Sequence, residues 1–113
     1  MTTTCIYCKN AIAGLNDLQS RYGAAGLQVI AVACDNMPQR QRAVAAAQYA
    51  KDNNVNYALY VEPGADAGGV RDRYAVEEYP TVVLLDANGK VLWKGHPNKR
   101  LELEAAVKQA LGK

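Results

Sequence analysis

Residues 81–95 read TVVLLDANGKVLWKG, two β-rich runs on either side of a turn. Val82 to Leu85 and Val91 to Trp93 are residue types that fit a pleated, half-buried surface, and Asn88-Gly89 between them can take the positive φ that a reversal needs. The stretch predicts an antiparallel hairpin. After it, Leu103, Val107, Ala110 and Leu111 share one side of a helix predicted over about Lys99–Leu111, which Gly112 closes.

Upstream of the hairpin, strands and helices alternate. Ile12, Leu15, Leu18 and Tyr22 recur at steps of three and four, one stripe of a helix from about Cys5 to Tyr22 that Gly23 and Gly26 stop. LQVIAVAC (residues 27–34) has the near-continuous apolar character of a strand buried on both faces, and Asp35-Asn36-Met37-Pro38 breaks it. Pro38 opens an Ala-rich helix to about Asp52, and YALYV (residues 57–61) is a short strand. Glu62-Pro63-Gly64 turns the chain into a short helix from about Ala67 to Tyr74, with Val70 and Tyr74 on its inner side. The order α, β, α, β, α, hairpin, α predicts an α/β domain, a mixed sheet with helices on both faces. A length of 113 residues fits one domain over residues 1–113.

Thirteen basic and eleven acidic residues leave a net charge of +2, and they are scattered as on a solvated face, which argues against nucleic acid as a partner. No apolar run approaches the roughly 18 residues of a membrane span. The first residues carry no secretory signal pattern, which leaves the compartment open.

Three cysteines are an odd number, so a purely structural disulfide framework would strand one of them. Cys5 and Cys8 form a C-x-x-C pair at a helix start. Residues three apart share a helix face, so the two sulfurs lie within bonding reach. Cys5 also sits where unpaired N–H groups and the helix dipole favour an anion, which predicts a thiolate near neutral pH. The pair reads as a thiol-disulfide exchange site: Cys5 attacks a substrate disulfide and Cys8 resolves the mixed disulfide. Fixed pairing or inert thiols is the bland alternative.

Taken together, CIYCKNAIAGLNDLQSRYGAAGLQVIAVACDN, the inserted YALYVEPGA and YAVEEYPTVVLLDANGKVLWKGH resemble the thioredoxin-like oxidoreductases of the TlpA/ResA type over essentially the whole chain. The resemblance implies a cis bond between Tyr79 and Pro80, with Pro80 packed against the active-site sulfurs and the Tyr79 backbone pairing with bound substrate. It also implies that Gly95 ends the hairpin beside the active-site surface. Tyr7, between the cysteines, is a further candidate for substrate contact. No cofactor and no metal are implied. The implied partners are protein disulfides or dithiols and a redox partner protein. Cytochrome c maturation is among the family's roles, and the implied location is periplasmic or extracytoplasmic.

The sequence departs from the family at Thr4, where members usually carry Trp, and at Ala11, where some carry an acid-base Glu. The largest departure precedes Cys5. The family places a hydrophobic strand there, central in the sheet, whereas this sequence has only MTTT. Two unpaired edges would be costly, so the expectation is an N-terminally truncated thioredoxin-like fold that is the C-terminal part of a longer polypeptide. Strand exchange with a second copy, direct pairing of residues 27–34 with residues 81–85, and self-association through an exposed edge are the other outcomes.

Two other functional readings compete. One is a redox-inactive thioredoxin-like binding module that offers a sheet edge to a partner. The other is a zinc site from Cys5, Cys8, Cys34 and His96, whose second pair lacks ligand spacing. Cys34 alone reads as a buried small hydrophobe, His96 as a solvated loop residue, Trp93 as packing, and Asp86 to Gly89 as a turn that needs no ion.

Overall fold

The computed structural model describes residues 1–62 and 69–113. Its elements in chain order are α1 (Ile6–Tyr22), a 3-10 turn (Gly23–Ala25), β1 (Ile30–Ala33), α2 (Gln39–Asp52), β2 (Ala58–Val61), α3 (Val70–Arg73), β3 (Val82–Leu85), β4 (Val91–Gly95) and α4 (Arg100–Ala110). The expected alternation of α and β is present. The expected start of the short helix near Ala67, and most of the turn at Glu62-Pro63-Gly64, lie outside the described residues.

The hairpin forms where its composition places it. β3 and β4 pair antiparallel, Val82 opposite Gly95 and Leu84 opposite Trp93, with a bulge between Leu84 and Leu85. Asp86 organises the turn: its Oδ1 accepts from the N–H of Asn88 at 2.8 Å and of Lys90 at 2.9 Å. Gly89, at φ +83°, rather than Asn88, takes the left-handed conformation.

β1 is shorter than residues 27–34, and the reason lies on α1. The Gln19 side chain accepts from the Val29 N–H at 2.7 Å and donates to the Leu27 carbonyl at 3.3 Å. Those backbone groups are thereby drawn toward α1, and the ladder begins at Ile30. From there β1 pairs with β2 in parallel, Ile30 opposite Ala58 through Ala33 opposite Val61.

Leu18 and Tyr22 of α1 and Leu103 and Val107 of α4 form a buried cluster, extended by Val82, Leu84 and Trp93 of the hairpin. The periodic stripes of both helices thus meet over one core. At its rim the Tyr22 hydroxyl donates to Glu104 at 2.8 Å, and Arg21 pairs with the same carboxylate. α2 buries Ala46 and Tyr49. Two expected inward residues differ: Val70 is exposed on its single-turn helix, and Ala110 is exposed at the frayed end of α4.

The strands do not form one continuous ladder. Among the described residues β1-β2 and β3-β4 are two separate two-stranded sheets, so direct pairing between residues 27–34 and 81–85 does not occur. Met1 instead lies beside β1. Its amino group donates to the Val32 carbonyl at 3.0 Å, and its own carbonyl accepts from the Cys34 N–H at 2.7 Å. Those two bonds are one parallel rung opposite Ala33.

Candidate active site

The N-terminal residues turn into α1 through a polar anchor. The Thr3 N–H donates to both carboxylate oxygens of buried Asp35, at 3.1 and 3.0 Å, and the Thr3 hydroxyl donates at 2.5 Å. Asp35 follows β1, so the entry to the helix is tied to the end of a strand.

Cys5 is the N-cap of α1, with extended backbone (φ −84°, ψ 113°), and its Sγ accepts from the Cys8 N–H at 3.1 Å. A sulfur therefore takes the position that a Ser or Asp oxygen usually fills, facing otherwise unpartnered N–H groups. Cys5 is half-buried, whereas Cys8, one turn on, is only 5% exposed. Burial, and next the neighbouring Cys5 sulfur, push the Cys8 thiol up to about 12. The less buried of the two cysteines thus stands at the helix start, and burial holds the proton on the other. All three cysteines are free thiols.

The Tyr79-Pro80 bond is cis and Pro80 is buried. Cys8, Tyr79 and Pro80 line one cavity. Tyr79 also holds the loop in place, its hydroxyl accepting from Arg71 Nη1 at 3.4 Å. Tyr7 is 65% exposed and, with His96 and Pro97 after β4, lines a separate groove between α1 and α4. Gly95 lies just before that groove, and a Cβ there would come within 2.8 Å of the Trp93 ring. The structure thus gathers Cys8, Tyr79 and Pro80 around one cavity and puts Tyr7 and the Gly95 end of the hairpin beside another.

Cys34 and His96 do not join Cys5 and Cys8 in a four-ligand set: among the described residues no three His, Cys, Asp or Glu side chains converge. His96 Nδ1 accepts from the Asn98 N–H at 3.0 Å and shapes a turn. Burial raises the Cys34 thiol, which donates to buried Glu62 at 3.4 Å. Glu62 in turn accepts from the Arg71 N–H at the start of α3. Asp35 and Glu62 read in the sequence only as the first residues of a strand break and a turn, yet both are buried. Asp35 directly after the strand and its Cys was the available signal for a buried anchor, but only the folded chain brings Thr3 to it.

Among the described residues no helix is long and apolar enough to cross a membrane. No curated protein sequence matches the chain. A solved structure assigned as a thiol:disulfide interchange protein, DsbE, of Chlorobium tepidum superposes with a TM-score of 0.82 at 26% identity, over 97% of this chain and 74% of that one. The AhpC/TSA family matches residues 1–94. With that match over most of its length, a thioredoxin-like fold and a DsbE-like neighbour, the chain belongs to the AhpC/TSA family as a thioredoxin-like oxidoreductase of the TlpA/ResA type.

Proposed function

We propose that the chain exchanges disulfides with protein substrates, with Cys5 as nucleophile and Cys8 as resolving thiol. The observation that carries this reading is Cys5 at the N-cap of α1 with its sulfur accepting the Cys8 N–H, beside a buried Cys8 whose thiol is pushed up to about 12. The Cys5 thiolate attacks one sulfur of a substrate disulfide. The Cys5–substrate S–S bond forms, the substrate S–S bond breaks, and one substrate thiolate leaves. Cys8 then gives up its proton and attacks the Cys5 sulfur, which closes the Cys5–Cys8 disulfide and releases the second substrate thiolate. The substrate gains two electrons and the enzyme dithiol loses them. Run backwards, the same steps oxidise a substrate dithiol, and a redox partner protein resets the pair in either direction.

Tyr79 and Pro80 present backbone to the substrate segment, and Tyr7 with the Gly95 end of β4 forms the other side of the contact surface. The DsbE-like neighbour supports an extracytoplasmic setting for this chemistry. Insulin reduction by the reduced protein, with Cys5→Ser and Cys8→Ser variants beside it, tests the assignment. Activity is expected to disappear in both, and Cys8→Ser alone is expected to accumulate a mixed disulfide visible by non-reducing mass analysis. Insulin reduction retained by Cys5→Ser would overturn it.

A further inference from the structure

α1 and α2 run in the same direction. Thr3 bonds Asp35 and the Leu27 N–H bonds the Tyr22 carbonyl, so α1 lies antiparallel to β1, and α2 returns from the end of β1 to the start of parallel β2. Their register is set just beyond α2. The Asn16 side chain donates to the Asn54 carbonyl at 3.1 Å and accepts from the Asn56 N–H at 2.9 Å, and the Asn56 side chain donates to the Asn16 carbonyl and to Ser20 Oγ, both at 3.0 Å. Going back from this clamp, Tyr49 lies about 7 Å along α2 and Cys8 about 12 Å along α1, at roughly 1.5 Å per residue. Side chains lean toward the N-terminus of their helix, so the Tyr49 ring covers the difference and carries its hydroxyl toward the Cys8 turn. Tyr49 is 9% exposed and lines, with Ile12, Leu59 and Cys8, the cavity that also holds Tyr79 and Pro80. Among the described residues its hydroxyl is shielded from solvent and has no hydrogen-bond partner. Burial, and next the Cys8 and Cys5 sulfurs and the Asp35 carboxylate, push that hydroxyl up, so at neutral pH it is a donor. The Asp35 oxygens are already taken by Thr3, and Ala11, on the same wall of the cavity as Cys8, brings no acid or base. A buried donor without an acceptor costs the resting protein free energy, and it gains an acceptor when a sulfur beside it becomes an anion.

We propose that the Tyr49 hydroxyl is the hydrogen-bond donor that stabilises the Cys8 thiolate in the resolving step. The role rests on the disulfide-exchange reading above and adds a residue to its second half. In the resting dithiol Cys8, its thiol pushed up by burial, holds its proton and offers Tyr49 only a weak acceptor. Once the mixed disulfide stands on Cys5, Cys8 loses its proton to solvent and its sulfur attacks the Cys5 sulfur. The Cys5–Cys8 bond forms, the Cys5–substrate bond breaks, and the substrate sulfur leaves with the bonding electron pair. Tyr49 keeps its own proton throughout. A hydrogen bond made to the anion and not to the thiol raises the fraction of Cys8 that is ionised. The first attack does not depend on it, because the Cys5 sulfur already accepts from the Cys8 N–H.

The full 113-residue chain, reduced and carrying Cys34→Ser so that only the pair reacts, is mixed with dithiobis(nitrobenzoate) in rapid-mixing absorbance measurements. The first thionitrobenzoate released reports attack by Cys5 and the second reports resolution by Cys8, so Cys8→Ser stops after the first. Losing one charge-assisted hydrogen bond lowers the thiolate fraction by about ten- to a hundredfold, and the greater nucleophilicity of the more basic sulfur returns about half of that on a logarithmic scale. Tyr49→Phe is therefore expected to leave the first release unchanged and to slow the second by about three- to tenfold. It is expected to melt at or above the parent temperature, because the hydroxyl removed has no partner in the resting fold. Tyr57→Phe, which removes another hydroxyl from the same cavity, keeps both rates. An unchanged second release in Tyr49→Phe overturns the proposal. Equal slowing of both releases, or a lowered melting temperature, overturns it too, since the hydroxyl would then support the resting fold. A second release slowed as much by Tyr57→Phe overturns it by making the effect one of general cavity polarity. A parent protein with no second release overturns the exchange reading and this role with it, whereas two releases in the parent and the same two rates in Tyr49→Phe overturn the role alone.

Discussion

Thr3 grips the carboxylate of Asp35 with its N–H and its hydroxyl together, so a residue two positions before the first cysteine is fixed to the end of β1. Asp35 is 4% exposed, and its oxygens have exchanged water for these donors. Removing the carboxylate leaves the Thr3 groups without their acceptor at a part-buried site, a loss on the order of 1–3 kcal/mol. Asp35→Ala is therefore expected to lower stability by that amount and to speed alkylation of Cys8, which shares the segment's cover through the Thr2 backbone. Urea unfolding and timed iodoacetamide labelling measure both. A variant that melts with the parent and keeps Cys8 protected contradicts the anchoring role.

The two thiols of the C-x-x-C are expected to label in sequence. Cys5 is the more exposed, and the Cys8 thiol is pushed up to about 12 by burial and the Cys5 sulfur. At about pH 7 iodoacetamide should modify Cys5 first, with Cys8 reacting only as the pH approaches its raised value, since the thiolate is the reactive form. Peptide mapping after brief labelling reads the order. Faster labelling of Cys8 would reverse the roles given to the two residues.

Stability in alkali follows from the same burial. Cys8 is raised from 9.0 to about 12 and Tyr57 from 10.0 to about 12. Both are acids that the folded state keeps protonated after the unfolded chain has released its protons. Between these ordinary values and about 12 the native state binds more protons, so stability falls as pH rises. Their contribution is fully present below about pH 9 and is lost progressively toward about pH 12. Urea midpoints should decline across that window, and Cys8→Ser should flatten the decline. An equally steep decline in Cys8→Ser would locate the effect elsewhere.

How far the sequence carried depended on the range of the interaction. The hairpin, the α1 and α4 stripes and the N-cap position of Cys5 are set by residues within a few positions of one another, and composition shows them. The Thr3–Asp35 anchor spans 32 positions and the Cys34–Glu62 bond 28, and neither has a local signature. The strand expected over residues 27–34 is longer than β1 because Leu27 and Val29 look like strand residues, while their backbone groups are held by Gln19 from another element. The division of the strands into two sheets, with Met1 continuing beside β1, likewise depends on a three-dimensional path. Cys8 is marked by the C-x-x-C spacing alone, whereas Tyr79 and Pro80 are named only through the family resemblance, because no local rule brings residue 80 to residue 8.

Three helices end in the same arrangement, and one of them carries an unsuitable residue. After α2, α3 and α4 the chain passes through a left-handed residue, Asn54 at φ 52°, Ala75 at φ 52° and Gly112 at φ 73°. In each the following N–H reaches back five positions, from Val55 to Ala50, Val76 to Arg71 and Lys113 to Lys108, at 2.8–3.1 Å. This is the Schellman closure, which favours Gly and tolerates Asn because a β-carbon there crowds the next carbonyl. Ala75 bears that crowding, and Lys94 Nζ, bonded to the carbonyls of Tyr74 and Ala75 at 2.9 Å, helps to hold the conformation. Glycine relieves about 1–2 kcal/mol of left-handed strain and loses roughly 0.5–1 kcal/mol through its freer unfolded chain. Ala75→Gly is thus expected to stabilise the protein by about 0.5–1 kcal/mol, a rise in melting temperature of a few degrees for a domain of this size. The exposed Ala75 side chain gives up no packing in the exchange. Thermal melts of the two proteins decide it, and an unchanged or lowered midpoint for Ala75→Gly would show that the turn stores no such strain.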